Sequence, residues 1–300
     1  MIQPFLPYPP SMTHTLLQLK DIVYTYPGQD NPLFRGLNLR VFQQKKTAII
    51  GQNGSGKSTL FLLIDGLHKV QQGKIYWKNE ELKYNRKSLN QWRQRIGLAF
   101  QDPEQQLVAG TVIEDIAYGL ANLQLPKAEF EQRLDDAIAD FVLQELVNLP
   151  LHHLSLGQKR RVALAGVMAL KPKLLLLDEP TAYLDRRQTQ NFMQELDRIH
   201  ESGTTVVLAT HDLDIAYQWA DWFLVLHQGQ LVIEGEAEAV FSQRELIEEL
   251  QLGLPTVWQI WQALLKHFCR SEHTSVPRTV SELNEKLSGT LTQHLSQSRR

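Results

Sequence analysis

The sequence predicts an α/β fold with a mostly parallel sheet, and three observations support this prediction. A glycine-rich stretch, residues 51–58, lies between the short apolar segment 47–50 and the helical pattern of residues 59–64. Two further segments, residues 174–178 and 205–209, are apolar almost throughout and lack the polar alternation of half-buried strands. Apolar strands of this length are typical of a parallel sheet that is covered on both faces.

The elements before residue 101 follow from local alternation and turn residues. Residues 16–50 are predicted to be β-structure, because apolar and polar side chains alternate on either side of a proline-glycine turn. In chain order, the predicted features are the alternating segments 17–20 and 37–41, the Pro27-Gly28 turn between them, and strands at 73–77 and 96–100.

A helical part then interrupts the α/β pattern over residues 111–149. Thr111 opens a helix that runs to about Leu123, Pro126 starts a second helix, and a third short helical segment ends near Pro150.

The α/β pattern returns after residue 160. An apolar helix over residues 162–170 must be buried on several sides. The other predicted elements are a polar helix at about 186–202, a hairpin of segments 222–226 and 231–234 around Gln228-Gly229, and a partly helical tail from 243 with breaks at Pro255 and Pro277.

Composition restricts the function class. Of the 300 residues, 43% are hydrophobic and 21% charged, and the net charge is −2, so no basic excess points to nucleic acid. Cys269 is the single cysteine, which excludes an internal disulfide and suits a reducing cytoplasm. No apolar run reaches the length of about 18 residues that a membrane helix needs. Residues 1–15 are predicted to be a disordered lead-in rather than a signal peptide.

The glycine-rich stretch has the spacing G-x-x-x-x-G-K-S of a phosphate-binding loop. Its glycines let consecutive backbone N–H groups converge on an anion, and the helix that follows adds its positive N-terminus. Lys57 is expected to reach the β- and γ-phosphates, and Ser58 to bind Mg²⁺. The residues predicted to contact the nucleotide here are Gly51, Gln52, Asn53, Gly54, Ser55, Gly56, Lys57, Ser58 and Thr59.

Two acidic residues and a helix start complete the chemistry that the residues themselves suggest. Asp178 ends an apolar strand, where a carboxylate can hold Mg²⁺ through water, and Glu179 is placed to polarise an attacking water. Ser155 is a good helix N-cap, and Gly157 lets the backbone approach an anion.

In order and spacing, these motifs resemble those of ATP-binding-cassette (ABC) ATPases over residues 16–240. The resemblance implies an adenine-stacking Tyr26, the Q-loop residue Gln101 as a catalytic residue and metal ligand, the signature residues Ser155, Gly157 and Gln158, the D-loop residue Asp185, and the switch histidine His211 as a γ-phosphate contact. It also implies an N-terminal antiparallel β-subdomain and a helical subdomain at about 102–170, both within an ATPase domain 16–242, followed by a C-terminal extension 243–300.

In this family the signature loop of one subunit closes over the ATP held by another, so the resemblance implies a dimer with itself or with a related ATPase. One position departs from the family pattern, since Leu156 stands where a glycine is usual. Ser155 and Gly157 remain, so function is expected to persist with altered dimer packing or rate.

Residues 97–107, 111–119 and 159–167 are similar to the ATPases of energy-coupling factor (ECF) importers, especially those for cobalt and nickel. The segments 252–255 and 280–283 resemble the extension that aids dimerisation in that group. The resemblance implies a transmembrane T component, a separate substrate-binding membrane protein, and a place at the cytoplasmic face of the membrane.

Other functions stay open at this point. A conventional ABC importer or exporter differs in its membrane partners, a chromosome or ribosome ATPase would need a long coiled coil or two cassettes, and a small-molecule kinase would not explain residues 154–158. The basic run Lys159-Arg160-Arg161 is predicted to be a solvated helix face.

Overall fold

The computed structural model describes residues 14–268 and 276–297, which form two sheets and eleven α-helices. The first sheet is antiparallel, with the strand order β2-β1-β4-β5. Its strands are β1 (Thr15–Tyr24), β2 (Phe34–Phe42), β4 (Gln72–Trp77) and β5 (Glu80–Glu81). Strand β1 therefore begins at Thr15, which pairs with Phe42, so the last residue of the predicted lead-in 1–15 belongs to the sheet. Residues 1–13 lie outside the described part.

The second sheet has six strands in the order β10-β9-β3-β8-β7-β6. Its strands are β3 (Thr47–Ile50), β6 (Ile96–Ala99), β7 (Leu174–Asp178), β8 (Thr205–Thr210), β9 (Trp222–His227) and β10 (Gln230–Gly235). All neighbours run parallel except β9 and β10, which form the predicted hairpin. Every residue of β3, β7 and β8 is buried, as expected for central parallel strands. The predicted fold class is confirmed.

The register of this sheet gathers the ends of its central strands. Ile50 pairs with Thr210, and Asp178 pairs with Ala209. Since parallel strands end at the same edge of a sheet, the residues that follow β3, β7 and β8 meet there, and β6 ends beside β7. Ligand sites of open parallel sheets lie at this edge.

Helices cover both sheets. They are α1 (Lys57–Asp65), α2 (Arg86–Arg93), α3 (Val112–Ala121), α4 (Lys127–Asp140), α5 (Leu156–Ala169), α6 (Arg186–Glu201), α7 (Leu213–Trp219), α8 (Ala237–Phe241), α9 (Arg244–Glu249), α10 (Thr256–Phe268) and α11 (Val280–Gln297). Helices α2, α7 and α8 had no counterpart among the predicted elements. Helix α5 begins six residues before the predicted apolar helix, because Ser155 caps it.

The third helical segment predicted near Pro150 is wrong. After α4 the chain forms turns, and Val142 takes a left-handed conformation with φ of 51°. The Leu143 N–H then reaches back to the Ile138 carbonyl, which closes the helix end, and Pro150 forms an isolated β-bridge with Thr111. The chain therefore returns to the start of α3 instead of extending a third helix.

The C-terminal helices are fixed to the large core through buried side chains. Trp258 and Trp261 belong to the same apolar cluster as the helix α5, and the Tyr217 hydroxyl donates to the Pro277 carbonyl. The Arg278 guanidinium donates to the Tyr217 carbonyl and lies over the Tyr217 ring. Both predicted breaks are observed, since Pro255 precedes α10 and Pro277 precedes α11. Cys269 lies outside the described residues.

Among the residues that the structure describes, no helix combines the length and the apolar composition needed to cross a membrane.

Candidate active site

The loop between β3 and α1 owes its shape to two glycines. Gly56 has φ of 106°, a left-handed conformation, and a Cβ there would lie 2.9 Å from the Phe34 ring. A Cβ on Gly51 would lie 2.2 Å from the Leu226 carbonyl oxygen. Neither position therefore admits a side chain without a backbone shift. Helix α1 begins directly after this turn at Lys57, so its unpaired N–H groups face the loop.

Lys57 is almost completely buried at the centre of the loop. Its Nζ donates to the Gly51 carbonyl at 2.7 Å and to the Gln52 carbonyl at 3.2 Å, and lies 3.8 Å from Glu179 Oε1. Burial lowers the pKa of this amine, while the Glu179 and Asp178 carboxylates oppose that effect. The amine is thus held among oxygen atoms at the strand edge, where it could transfer its hydrogen bonds to phosphate oxygens.

Asp178 and Ser58 place a carboxylate and a hydroxyl next to each other at the strand edge. Asp178 is 7% exposed, and its Oδ1 is buried without a hydrogen-bond partner among the described residues. Burial raises the pKa of this carboxyl, whereas a hydrogen bond from the Ser58 side chain lowers it. An orphaned buried carboxylate oxygen beside a hydroxyl fits a hard divalent cation, which commonly takes one or two protein ligands together with substrate phosphates.

Glu179 follows Asp178 in a strained backbone conformation, with φ of 44°. Its N–H donates to the Ala209 carbonyl, and its Oε2 accepts a hydrogen bond of 3.0 Å from Thr210 Oγ1. Its Oε1 lies 2.9 Å from Nδ1 of His211, whose side chain is 61% exposed. Thr210, the last residue of β8, therefore holds one carboxylate oxygen, while Oε1 is buried next to His211 without a hydrogen bond among the described residues.

Thr210 was missed by the sequence analysis. Its hydroxyl donates to Glu179 and accepts the Asp212 N–H at 3.0 Å, so it joins the carboxylate to the start of α7. Thr210 is 0% exposed. The sequence feature that could have identified Thr210 is its position, since it ends an apolar strand and directly precedes His211.

Gln101 lies two residues beyond the end of β6, and its side chain is exposed. Its carbonyl oxygen accepts a hydrogen bond from Arg160 Nη2 at 3.0 Å. The predicted solvated face of the basic run is wrong at Arg160, which is only 5% exposed. Lys159 is partly buried, with a side chain that is 16% exposed and an amine that pairs with Glu104. Arg161 is exposed as predicted.

Tyr26 lies beside the first turn of α1. Its hydroxyl is 2.7 Å from Thr59 Oγ1, and its ring contacts Tyr24 and His68 edge-on, at centroid distances of 5.2 and 5.8 Å. The ring is half-buried. Stacking on adenine stays a prediction, which this position next to the phosphate loop supports.

The signature and D-loop residues use their side chains to cap helices. Ser155 and Gln158 form a capping box at the start of α5, and Asp185 and Gln188 form another at the start of α6. Within the described residues, no hydrogen bond or ion pair joins residues 155–158 to the phosphate loop. Leu156 is 36% exposed beside Gly157. The structure thus brings Lys57, Ser58, Asp178, Glu179 and His211 together and leaves the signature residues on a separate surface.

Comparison with known proteins identifies the family. A family model described as ABC transporter matches residues 34–182. Putative ABC transporter ATP-binding proteins from Nostoc sp. and Thermosynechococcus vestitus are 52% and 50% identical, over 88% and 92% of this chain and 96% of each relative. The energy-coupling factor transporter ATP-binding protein EcfA of Methanosphaera stadtmanae is 37% identical over 91% of this chain and 98% of that protein.

Solved structures agree with this assignment. The structure of cbiO1 from Clostridium perfringens, part of the ABC transporter complex cbiONQ, covers 83% of this chain and 99% of its own, with 36% identity and a TM-score of 0.71. The match to a dimeric ATP-binding cassette in a post-hydrolysis state with ADP and Pi covers 73% of this chain and 98% of that structure. The identity is 28% and the TM-score is 0.66. The chain belongs to the family of ABC transporter ATP-binding proteins, ATPases that couple ATP hydrolysis to transport.

Proposed function

We propose that this chain is the ATPase subunit of an ECF-type importer that moves a divalent metal ion such as cobalt or nickel. The observation that carries the proposal is the similarity to an ECF transporter ATP-binding protein over 91% of this chain and 98% of that protein. A relative that is part of the cbiONQ complex supports the same assignment.

The proposed reaction is in-line attack of water on the γ-phosphate of ATP. The phosphate loop and Lys57 bind the phosphates, and Tyr26 stacks on the adenine. Ser58, Asp178 and Gln101 would hold Mg²⁺, which would neutralise charge on the phosphate oxygens. Glu179 orients and polarises the attacking water.

His211 completes the γ-phosphate contact. Its Nδ1 lies 2.9 Å from the Glu179 carboxylate, and its exposed ring can turn towards a bound phosphate. Positioning and charge neutralisation supply most of the rate enhancement in phosphoryl transfer. The shared Glu179 contacts of Lys57, Thr210 and His211 therefore support a single hydrolytic unit at the strand edge.

A second ATPase subunit, identical or related, is proposed to complete each site. In that arrangement Ser155, Gly157 and Gln158 of one subunit contact the γ-phosphate bound by the other, and Asp185 lies at the contact between them. The exposed position of Ser155 and Leu156 supports this, because residues on a separate surface can meet the nucleotide only from outside. ATP then holds the dimer closed, and hydrolysis lets the subunits part.

The membrane components are also part of the proposal. A T-type transmembrane protein docks near the Q-loop and the helices after it, and a separate membrane protein binds the cargo, so the chain works peripherally at the cytoplasmic face. The described residues provide no membrane-spanning helix, and the net charge of −2 gives no support for nucleic acid as a partner.

A trapping experiment tests this function. A tagged Glu179→Gln variant is purified in mild detergent from its native membranes with ATP and Mg²⁺, and the co-purifying proteins are identified by mass spectrometry. The matched control is Glu249→Gln, which changes an exposed carboxylate on α9. The expected result is a small T-type membrane protein together with a substrate-binding membrane protein, enriched over the control.

Other partners would change the conclusion in defined ways. A conventional pair of transmembrane domains would assign the chain to an ordinary ABC importer or exporter, and only soluble partners would overturn the transport function. Uptake of radiolabelled cobalt and nickel by cells, with and without the chain, then tests the cargo. Uptake that does not depend on the chain would exclude these two metals.

A further inference from the structure

Arg160 lies at the point where helix α5 meets two loops of the site. Its Nη1 donates to the Pro180 carbonyl and, at 2.9 Å, to the Ala182 carbonyl. Its Nη2 donates to the Gln101 carbonyl at 3.0 Å. A single buried guanidinium thus holds three main-chain carbonyls that are distant from one another in sequence.

Each of these carbonyls belongs to a segment that carries a proposed site residue. Pro180 follows Glu179 directly, and Ala182 lies three residues before Asp185. The Gln101 carbonyl belongs to the residue whose side chain is proposed to hold Mg²⁺. Arg160 itself lies in the second turn of the helix that Ser155 caps, so it connects the signature end of α5 to both loops.

The environment of Arg160 explains why these contacts are restrictive. The Arg160 side chain is 5% exposed, and no carboxylate of the described residues lies within ion-pair distance of it. The nearby Asp102 charge attracts the guanidinium only from a longer distance. A desolvated cation of this kind depends on carbonyl dipoles, and losing one of them leaves a buried donor unsatisfied. The three carbonyls must therefore keep their positions relative to α5.

We propose that Arg160 is a positioning residue, which fixes the Q-loop and the loop after Glu179 relative to each other and to the signature helix. The inference rests on the roles proposed above for Gln101 and Glu179, and it adds a residue that acts on them through main-chain carbonyls.

The planar fork of arginine is essential to this arrangement. Two terminal nitrogens point to two different loops at once, whereas the single ammonium of a lysine is a compact charge on a flexible stem. Charge alone should therefore not replace Arg160. This distinguishes the proposal from a general requirement for a buried cation.

The test uses steady-state ATP hydrolysis by the full-length chain, with ATP affinity measured separately by fluorescent nucleotide titration. The variants are Arg160→Ala and Arg160→Lys, with Arg161→Ala as the matched control, because Arg161 is the exposed neighbour on the same helix. Glu179→Gln is included as the variant that is expected to abolish hydrolysis. Added methylguanidinium should occupy the space left by Arg160→Ala and restore the missing donors.

The expected result is a fall in kcat of about 100-fold for Arg160→Ala, the size of effect that small misplacements of reacting groups cause. ATP affinity should stay close to that of the unchanged protein, Arg160→Lys should remain slow, and methylguanidinium should raise kcat of Arg160→Ala but not of Arg161→Ala. If Arg160→Ala does not fold, Arg160→Lys carries the test through the same separation of kcat from affinity.

Three outcomes would overturn the proposal. They are an unchanged kcat in Arg160→Ala, full activity in Arg160→Lys, and a joint loss of ATP affinity and kcat in a folded variant, which would indicate a general structural role. Failure of the proposed hydrolytic site is recognised independently, because Glu179→Gln would then keep its ATPase activity whatever the Arg160 variants do.

Discussion

Asp65 lies at the end of α1, and we expect the variant Asp65→Asn to be more stable at neutral pH than the unchanged protein. The carboxyl is almost completely buried, and burial raises its pKa to about 6, against 3.8 for a solvated aspartate, while Arg93 opposes the effect from 3.5 Å. Above pH 6 the group is ionised in the folded and the unfolded chain, so the folded protein carries the whole cost of burying the charge. That cost declines as the pH falls through 6 towards 3.8.

The size of the effect follows from the two pKa values. The difference between 3.8 and about 6 corresponds to about 3 kcal/mol of unfolding free energy at pH 8. At pH 5 the folded protein has already taken up most of the proton, so about 1.4 kcal/mol of this cost has disappeared. Asp65→Asn removes the charge with little change of shape. Arg93 keeps its hydrogen bonds to the Asp65 and Gly66 carbonyls in the variant.

Differential scanning calorimetry of both proteins at pH 8 and pH 5 checks this reasoning. At pH 8 the melting temperature of Asp65→Asn should exceed that of the unchanged protein by roughly 3–6 °C, and at pH 5 by about half as much. The control variant Glu249→Gln, which alters an exposed carboxylate, should show no difference at either pH. Equal melting temperatures at pH 8, or a gain that is the same at both pH values, would refute the burial argument.

Two further predictions concern contacts that the structure adds to the site. Thr210→Val removes the hydroxyl that donates to Glu179, a charge-assisted hydrogen bond typically worth about 1.5–3 kcal/mol. We expect kcat for ATP hydrolysis to fall at least about tenfold while KM stays unchanged. An unaltered kcat would contradict the role of this bond. Asp214→Ala removes the carboxylate that accepts hydrogen bonds from the N–H and the hydroxyl of Thr256. Amide hydrogen exchange should therefore accelerate at the start of α10 and remain unchanged in α3. Unchanged exchange at α10 would show that these two hydrogen bonds are not needed to hold α10 in place.

The parts of the site that the sequence predicts are those encoded by local order. The turn at Gly56 and the strand that ends at Asp178 depend on neighbouring residues, so their spacing identifies them. The contact between Glu179 and His211 depends in addition on the adjacency of β7 and β8, which is a property of the whole sheet. The sequence did not predict that adjacency, because the periodicity of single strands carries no information on which strands are neighbours.

Contacts between distant segments were not predictable in the same way. The Gln52 side chain donates to the Leu250 carbonyl, which ties the phosphate loop to the end of α9. The two residues are separated by almost two hundred positions, and neither belongs to a periodic pattern that points to the other. Only the packing of the C-terminal helices on the core brings them together.

The burial of Arg160 within the basic run 159–161 follows from helix geometry. Successive residues of an α-helix point about 100° apart, so three consecutive charges spread over about 200° of the helix surface. Leu164 and Val167 lie four and seven positions after Arg160 and are buried, which places Arg160 on the same apolar stripe. A cation on such a stripe near a helix start must find acceptors in whatever the stripe packs against. In this fold those acceptors are the loop carbonyls beside Gln101 and Glu179, so the same residue that breaks the charge pattern is the one that links α5 to the hydrolytic site.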